Sequence, residues 1–386
     1  MAKSTRKPLY FTGVHLENWR NFTSIDAKLD RRVFLVGPNA AGKSNLLDVF
    51  RFLRDLVAVG GGLQEAVRKR GGVSRLRCLA ARRFSEIAVH VHVGTDQEPT
   101  LWTYELRINQ DARSRPIIRR ERVLREGREI LSRPDSEDEA DNERLTQTHL
   151  EQVYVNQEFR ELAEFFPLVQ YLHIVPQLIR EPERSTGRSN DPFGGDFLER
   201  IASTPEKTRK AWLRRIQNAL KVAVPQLQEL GLFKDVRGTP HLRGKYEHWR
   251  PHGAWQTEDQ FSDGTLRLMG LLWIALAGSG PLLLEEPELS LHSEVVKYIP
   301  QMFARVQRRT GRQVVISTHS TEMLSDSAIG LNEVLVLEPS REGTTVRQVA
   351  EFDDVMPLLE GGLTLADIVM PRTRPHKASQ LAQFGD

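Results

Sequence analysis

The sequence contains a single cysteine, Cys78. Intramolecular disulfides and multi-cysteine metal sites are therefore excluded, and a reducing compartment suits the chain. Cys78 itself reads as a small buried apolar residue. Net charge is scarce as well: 54 Lys and Arg against 51 Asp and Glu leave +3, too near neutral to imply a polyanionic partner from composition. Long hydrophobic runs are missing. The longest uncharged stretch, residues 268–284, is shorter than the roughly 20 apolar residues of a membrane span and is broken by Gly278-Ser279-Gly280-Pro281. It reads as a buried helix followed by a buried strand. The basic residues 1–7 lead into an alternating segment, not an apolar signal-peptide core, which predicts no export, no membrane and a cytoplasmic location. Internal repeats and long heptad runs are also lacking, which excludes a solenoid and a coiled coil.

What is present suffices for a sizeable core. With 386 residues, 39% hydrophobic and 27% charged, wholesale disorder is ruled out, and one large domain with insertions or two domains are expected. Residues 9–16 and 31–36 read as strands, and the second stops at a glycine. Residues 44–57 follow as an amphipathic helix, with Leu46, Leu47, Phe50, Leu53 and Leu56 on one face. Alternation over 86–93, 101–108 and 117–131 predicts an antiparallel meander. Residues 135–143 hold six acidic residues and read as a solvated linker. A helix at 150–166, a short strand at 171–175, a loop at 183–195 and a basic amphipathic helix at 205–222 come next, then buried strands at 282–284 and 314–317.

Four motifs carry chemistry. Gly37-Pro38-Asn39-Ala40-Ala41-Gly42-Lys43-Ser44 is a complete G-x-x-x-x-G-K-S phosphate loop between a strand and a helix. Its glycines let backbone N–H groups wrap phosphates, and the helix directs its positive end at them. Lys43 would neutralise the β- and γ-phosphates of ATP, and the Ser44 hydroxyl suits Mg2+, a hard ion that takes oxygen ligands; Asn45 adjoins them. The apolar strand ending in Glu285-Glu286-Pro287-Glu288 has the form of a Walker B segment. Alternation at its end separates Glu285, toward magnesium, from Glu286, the general base. Ser317-Thr318-His319-Ser320 ends the next strand and offers His319 as a γ-phosphate sensor. Ser262-Asp263-Gly264 opens an apolar helix, a second anion-binding start that another subunit would press against ATP.

In this order the motifs resemble the ABC-type ATPase heads of the RecF/SMC-like group, over roughly residues 8–340. Asn18-Trp19-Arg20-Asn21-Phe22 is similar to that group's N-terminal strand motif, and the resemblance implies that Arg20, with Asn21, approaches the nucleotide. Glu-Glu-Pro-Glu-Leu-Ser-Leu-His from Glu285 to His292 looks most like the predicted AAA-family ATPases and the heads of overcoming-lysogenization-defect nucleases. The implied fold is α/β: a P-loop NTPase, an ABC-type ATPase head, with an antiparallel β subdomain and a helical insertion. The implied activity is Mg-dependent ATP hydrolysis in an ATP-sandwiched homodimer, or a higher homo-oligomer, within an anti-phage or repair system. Two departures stand out. Glu285 replaces the family's usual Asp and is one methylene longer, and Ser262-Asp263-Gly264 replaces the transporters' Ser-Gly-Gly. The Gln-loop residue stays open between Gln157 and Gln177.

The chain after His319 is too short for the nuclease domain of the overcoming-lysogenization-defect proteins, so a separate nuclease or toxin is the expected effector. A non-catalytic ATP-bound scaffold sequestering a toxin and a recombination or repair clamp are the alternatives. Arg68, Lys69, Arg70, Arg75, Arg77, Arg82 and Arg83 run without an intervening acid and offer phosphate contacts for DNA or RNA, or else a salt-bridged surface. The expected organisation is an N-terminal head segment at 1–60, the β subdomain at 61–134, the acidic linker and helical insertion at 135–230, the C-terminal head segment at 231–340 and a tail at 341–386.

Overall fold

The computed structural model describes residues 8–81, 85–182, 191–248, 254–374 and 378–383. Arg82 and Arg83 lie outside the described residues, as does 183–190 of the expected loop. The chain divides into two compact units, one of Met1–Gln170, Ser279–Leu283 and Gln307–Asp386, the other of Tyr171–Gly278 and Leu284–Val306.

Strands are numbered in chain order. In the first unit β1 (Tyr10–Trp19), β2 (Phe22–Lys28) and β3 (Arg32–Val36) precede β4 (Ile87–Gly94), β5 (Trp102–Gln110), β6 (Pro116–Arg125) and β7 (Arg128–Arg133). The expected meander is present and is wider than its alternation indicated, because the hairpin β1–β2 joins it in the order β2-β1-β4-β5-β6-β7. Beneath it Phe11 stacks near Phe50 of the Lys43–Val57 helix and near Phe165 and Phe166, with ring centroids 4.6, 5.0 and 5.9 Å away. Each such side chain contributes about 1.5–3 kcal/mol by leaving water.

A second sheet has the order β15-β14-β3-β13-β12-β8, with β8 at Gln170–Leu172, β12 at Leu282–Glu285, β13 at Val314–Thr318, β14 at Val334–Ser340 and β15 at Gly343–Gln348. All five residues of β3 are buried, as a central parallel strand requires. Its neighbours β13 and β14 run parallel to it, and the pairing Thr318↔Val36 brings two strand ends to one level. The phosphate loop and His319 therefore leave the sheet together. In the second unit β9 (Leu227–Lys234), β10 (Pro240–Tyr246) and β11 (Ala254–Thr257) form an antiparallel sheet. Its helices Glu206–Ala223 and Asp263–Leu276 meet through Trp212 and Trp273, 5.1 Å between ring centroids.

Two expectations need correction. The acidic run 135–143 is not a wholly solvated linker: Ser136–Ala140 is a helix capped by Asp135, and Asp138 is fully buried. Arg133, itself buried, bonds Asp138 and Glu121, and Glu121 also accepts from the Tyr104 hydroxyl and from the backbone N–H groups of His149 and Leu150. The helix expected over 150–166 forms as an α-helix only at Arg160–Phe165, after a 3-10 turn at Asn156–Phe159. The Asn156 amide donates to Leu150 O at 2.9 Å, a local bond that competes with helix.

Candidate nucleotide site

In the first unit the loop after β3 is shaped by its glycines. A Cβ on Gly37 would stand 2.6 Å from Leu337 O, and Gly42 has φ of 102° with Asn21 Nδ2 2.2 Å from where a Cβ would be. Both positions exclude larger residues. The helix Lys43–Val57 begins at Gly42, an N-cap residue with no side chain, so its positive end is directed into the loop. Lys43 is buried, and its Nζ donates to Gly37 O at 2.9 Å and Pro38 O at 3.1 Å. His319 Nε2 lies 2.7 Å from the same Nζ. The parallel register of β3 and β13 thus unites two residues 276 positions apart.

Asn21 braces this loop. Its amide donates to Ala41 O at 2.8 Å and to Thr344 Oγ1 at 2.7 Å, and its carbonyl accepts from Asn45 Nδ2 at 2.8 Å. The buried Trp19 donates its indole N–H to Asn45 O at 3.0 Å. Arg20, at a φ of 54°, sends its backbone N–H to Leu76 O and its guanidinium toward Arg75 O and Asp48.

The second unit holds the acidic and Ser-Asp-Gly motifs. The Tyr171 hydroxyl donates to the Glu285 carboxylate, and His173 Nδ1 lies 3.2 Å from Glu285 O. Glu286 sits at a φ of 43° and Ser290 at 61°, so a sharp turn follows β12. That turn approaches the helix Asp263–Leu276 closely: a Cβ on Gly264 would meet Ser290 O at 2.5 Å. Ser262 caps this helix, accepting from Thr265 N at 3.2 Å, and Arg180 clamps the start by donating to Phe261 O and pairing with Asp263 at 2.6 Å each. One turn on, Arg267 is buried with Nε and Nη1 unbonded. Burial pulls its guanidinium below the ordinary arginine range, opposed by Asp263, Glu288 and Glu286. Sequence reasoning missed Tyr171, His173, Arg180 and Arg267. Only the position of Arg267, four residues after Asp263 on one helix face, gave any signal.

The basic stretch is partly consumed. Arg70 is buried and bonds Asp48 and Asp55, so it presents no charge to nucleic acid. Its partners lie upstream of residue 68, where counting acids within the stretch does not find them. Burial raises Asp55, and Arg54 and Arg70 more than offset this, leaving it below the usual aspartate range. Arg68 and Lys69 pair with Glu65 on the surface, and the Arg75 carbonyl holds Arg20. Gln157 and Gln177 are both exposed.

A parallel-stranded phosphate loop with a histidine strand end on one sheet, and an antiparallel meander in the same unit, give the chain the fold of an ABC-type ATPase head. A family model described as "AAA domain, putative AbiEii toxin, Type IV TA system" matches residues 32–325, and the chain belongs to that family. Its fold is similar to an Smc head bound to the C-winged helix domain of ScpA, with 14% identity, 90% of this chain and 99% of that chain covered and a TM-score of 0.56. It is also similar to an Smc head with an extended coiled coil from Pyrococcus furiosus, bound to the C-terminal domain of ScpA, at 12% identity, 92% and 99% coverage and a TM-score of 0.52. An Smc head with a coiled coil and joint from Pyrococcus yayanosii gives 11% identity, 92% and 100% coverage and 0.51. No curated protein matches the chain. Among the described residues, no helix is long and apolar enough to cross a membrane.

Proposed function

We propose that the chain binds ATP with Mg2+ and hydrolyses it as a two-fold dimer of heads, serving as sensor or motor of a bacterial anti-phage system whose effector is a separate protein. The observation that carries the nucleotide reading is the phosphate loop: a helix start behind a left-handed glycine, with Lys43 and His319 meeting at 2.7 Å. In this reading the first N–H groups of the helix Lys43–Val57 hold phosphate oxygens, and Lys43 exchanges its carbonyl partners for them. Magnesium, held by Ser44 and by Glu285 directly or through water, would screen the phosphate charge. Glu286 orients and deprotonates the attacking water, His319 reads the γ-phosphate, and Arg20 and Asn21 secure the loop from the N-terminal strand. Ser262, Asp263 and Gly264 of a second subunit complete each site, as isologous symmetry requires. The toxin–antitoxin wording of the family description supports a defence setting with a second protein.

Steady-state phosphate release by the purified chain in Mg-ATP tests this reading. Turnover stimulated by nucleic acid supports the motor. Tight ATP binding with negligible turnover supports a scaffold that sequesters a toxin, and preferential stimulation by gapped DNA supports a repair clamp.

A further inference from the structure

The sheet β9–β11 has two unlike faces. Leu230, Leu242 and Gly244 are buried, while the alternate positions of β10, His241, Arg243 and Lys245, are half-buried or exposed. The register places Phe233 opposite His241, Gly231 opposite Arg243, and Trp255 opposite Lys245 on this second face. The side chains form a continuous stack. The His241 ring lies 5.3 Å from Phe233 at 26°, and the Arg243 guanidinium stands 5.6 Å from the Phe233 ring and 4.7 Å from the Trp255 ring. Among the described residues the contacts of Arg243 are rings, not carboxylates, and Trp255 is 48% exposed. Gly231 carries no side chain opposite Arg243, and the Arg243 side chain lies beside it, its Nε 4.0 Å from where a Cβ would be.

Charge on the adjoining helix is one-sided. Glu206–Ala223 carries six basic residues and one acidic residue. Gln217 of that helix bonds the free edge of β9, donating to Gln228 O at 2.6 Å and accepting from Leu230 N at 3.1 Å. Arg214 and Lys221, both exposed, stand one turn either side of Gln217, so two cations flank that edge, where Glu229 is paired with Lys245 at 3.9 Å. At the opposite end lies a recess of about 290 Å3 lined by Asp235, Asp259 and Glu258, the last already bonded to His241 and Leu242 N, together with Arg180, whose guanidinium is paired with Asp263. Those carboxylates repel phosphate and accept hydrogen bonds from exocyclic amines. A chain with phosphates on one side and flat, amine-bearing rings on the other fits both edges.

We propose that this face is a platform for single-stranded nucleic acid, with a base stacked on the exposed Trp255 beside Arg243 and the sugar-phosphate chain running along Arg214 and Lys221. Every base has a π-face, so the platform favours unpaired strands over a duplex and is tolerant of sequence. The proposal does not depend on the nucleotide site.

The test is fluorescence anisotropy of the full chain, without nucleotide, with labelled oligo(dC) and oligo(rC) of about 16 nucleotides, whose bases carry an exocyclic amine, and with a hairpin duplex. Both or either single strand should bind better than the duplex, and the difference between the two oligomers identifies DNA or RNA. Trp255→Ala and Arg243→Ala should each weaken binding about fivefold or more, whereas Trp255→Phe keeps a ring and most of the affinity. Removing Arg214 and Lys221 together should make the salt dependence shallower by roughly 1.4 in log–log slope. An unchanged thermal midpoint and unchanged stabilisation by Mg-ATP show that the variants are folded and the nucleotide site intact. Wild-type affinity in both alanine variants, equal binding of the duplex, or no binding of either single strand overturns the proposal.

Discussion

At the residue scale, Lys43 summarises how a motif becomes a site. Its ammonium is out of water, held by two carbonyls and close to His319. Lys43→Ala should therefore lose nucleotide binding. At ligand concentrations a hundredfold above the wild-type dissociation constant, Mg-ATP should stabilise the wild type by about 2.7 kcal/mol and leave the variant unmoved, as a thermal shift would show. Equal stabilisation would mean that the loop does not bind phosphate. The G-x-x-x-x-G-K-S spacing was legible because a tight loop between strand and helix leaves few other residues possible. The contact between the Tyr171 hydroxyl and Glu285 was not, since the partners stand 114 positions apart and only the sheet joins them. Arg70 misled for the same reason: its acids, Asp48 and Asp55, sit on the preceding helix, one helical packing away but outside the basic run.

At the element scale, the meander was legible from alternation, and the elements beside it were not. The charges at 135–143 read as solvated because hydropathy cannot see that Arg133 turns inward to meet Asp138 and Glu121. Burial tends to raise Asp138, but the Arg133 bonds and neighbouring charges carry it down to about 2. Arg133→Met should cost about 3–5 kcal/mol, because Glu121 would stay buried without its cation, and the urea midpoint reads this directly. His149 adds a pH dependence. Burial, with help from Arg133, lowers it from 6.5 to about 4, so the folded protein holds the neutral ring while the unfolded chain binds a proton more readily. The stability this contributes is present above pH 6.5 and is lost as pH falls toward 4. Thermal midpoints measured across that interval should decline in the wild type and flatten in His149→Gln, which retains the backbone donor to Glu121.

At the scale of the whole molecule, consecutive segments drawn from sequence have no means of expressing a chain that passes between its two compact units four times. The Lys43–His319 pair belongs to one unit and the Glu285–Glu286 strand end to the other, so the proposed cycle depends on more than either contains. If Glu286 is the general base, Glu286→Gln keeps size and hydrogen-bonding reach but loses basicity, and turnover should fall about 10²–10⁴-fold while ATP still binds. Because the γ-phosphate is the joint between subunits in this mechanism, arrested hydrolysis should accumulate the dimer. Ser262→Arg puts bulk and charge into that joint and should keep the chain monomeric. That substitution also removes the cap on Thr265 N, at about 0.5–2 kcal/mol, so a thermal midpoint must accompany it to separate a blocked interface from a weakened fold. Light scattering in Mg-ATP should then give opposite masses for two folded variants. A Glu286→Gln protein whose mass ignores ATP, or whose turnover matches the wild type, would remove both the assigned base and the composite site, while leaving the phosphate loop and the Lys43 prediction standing.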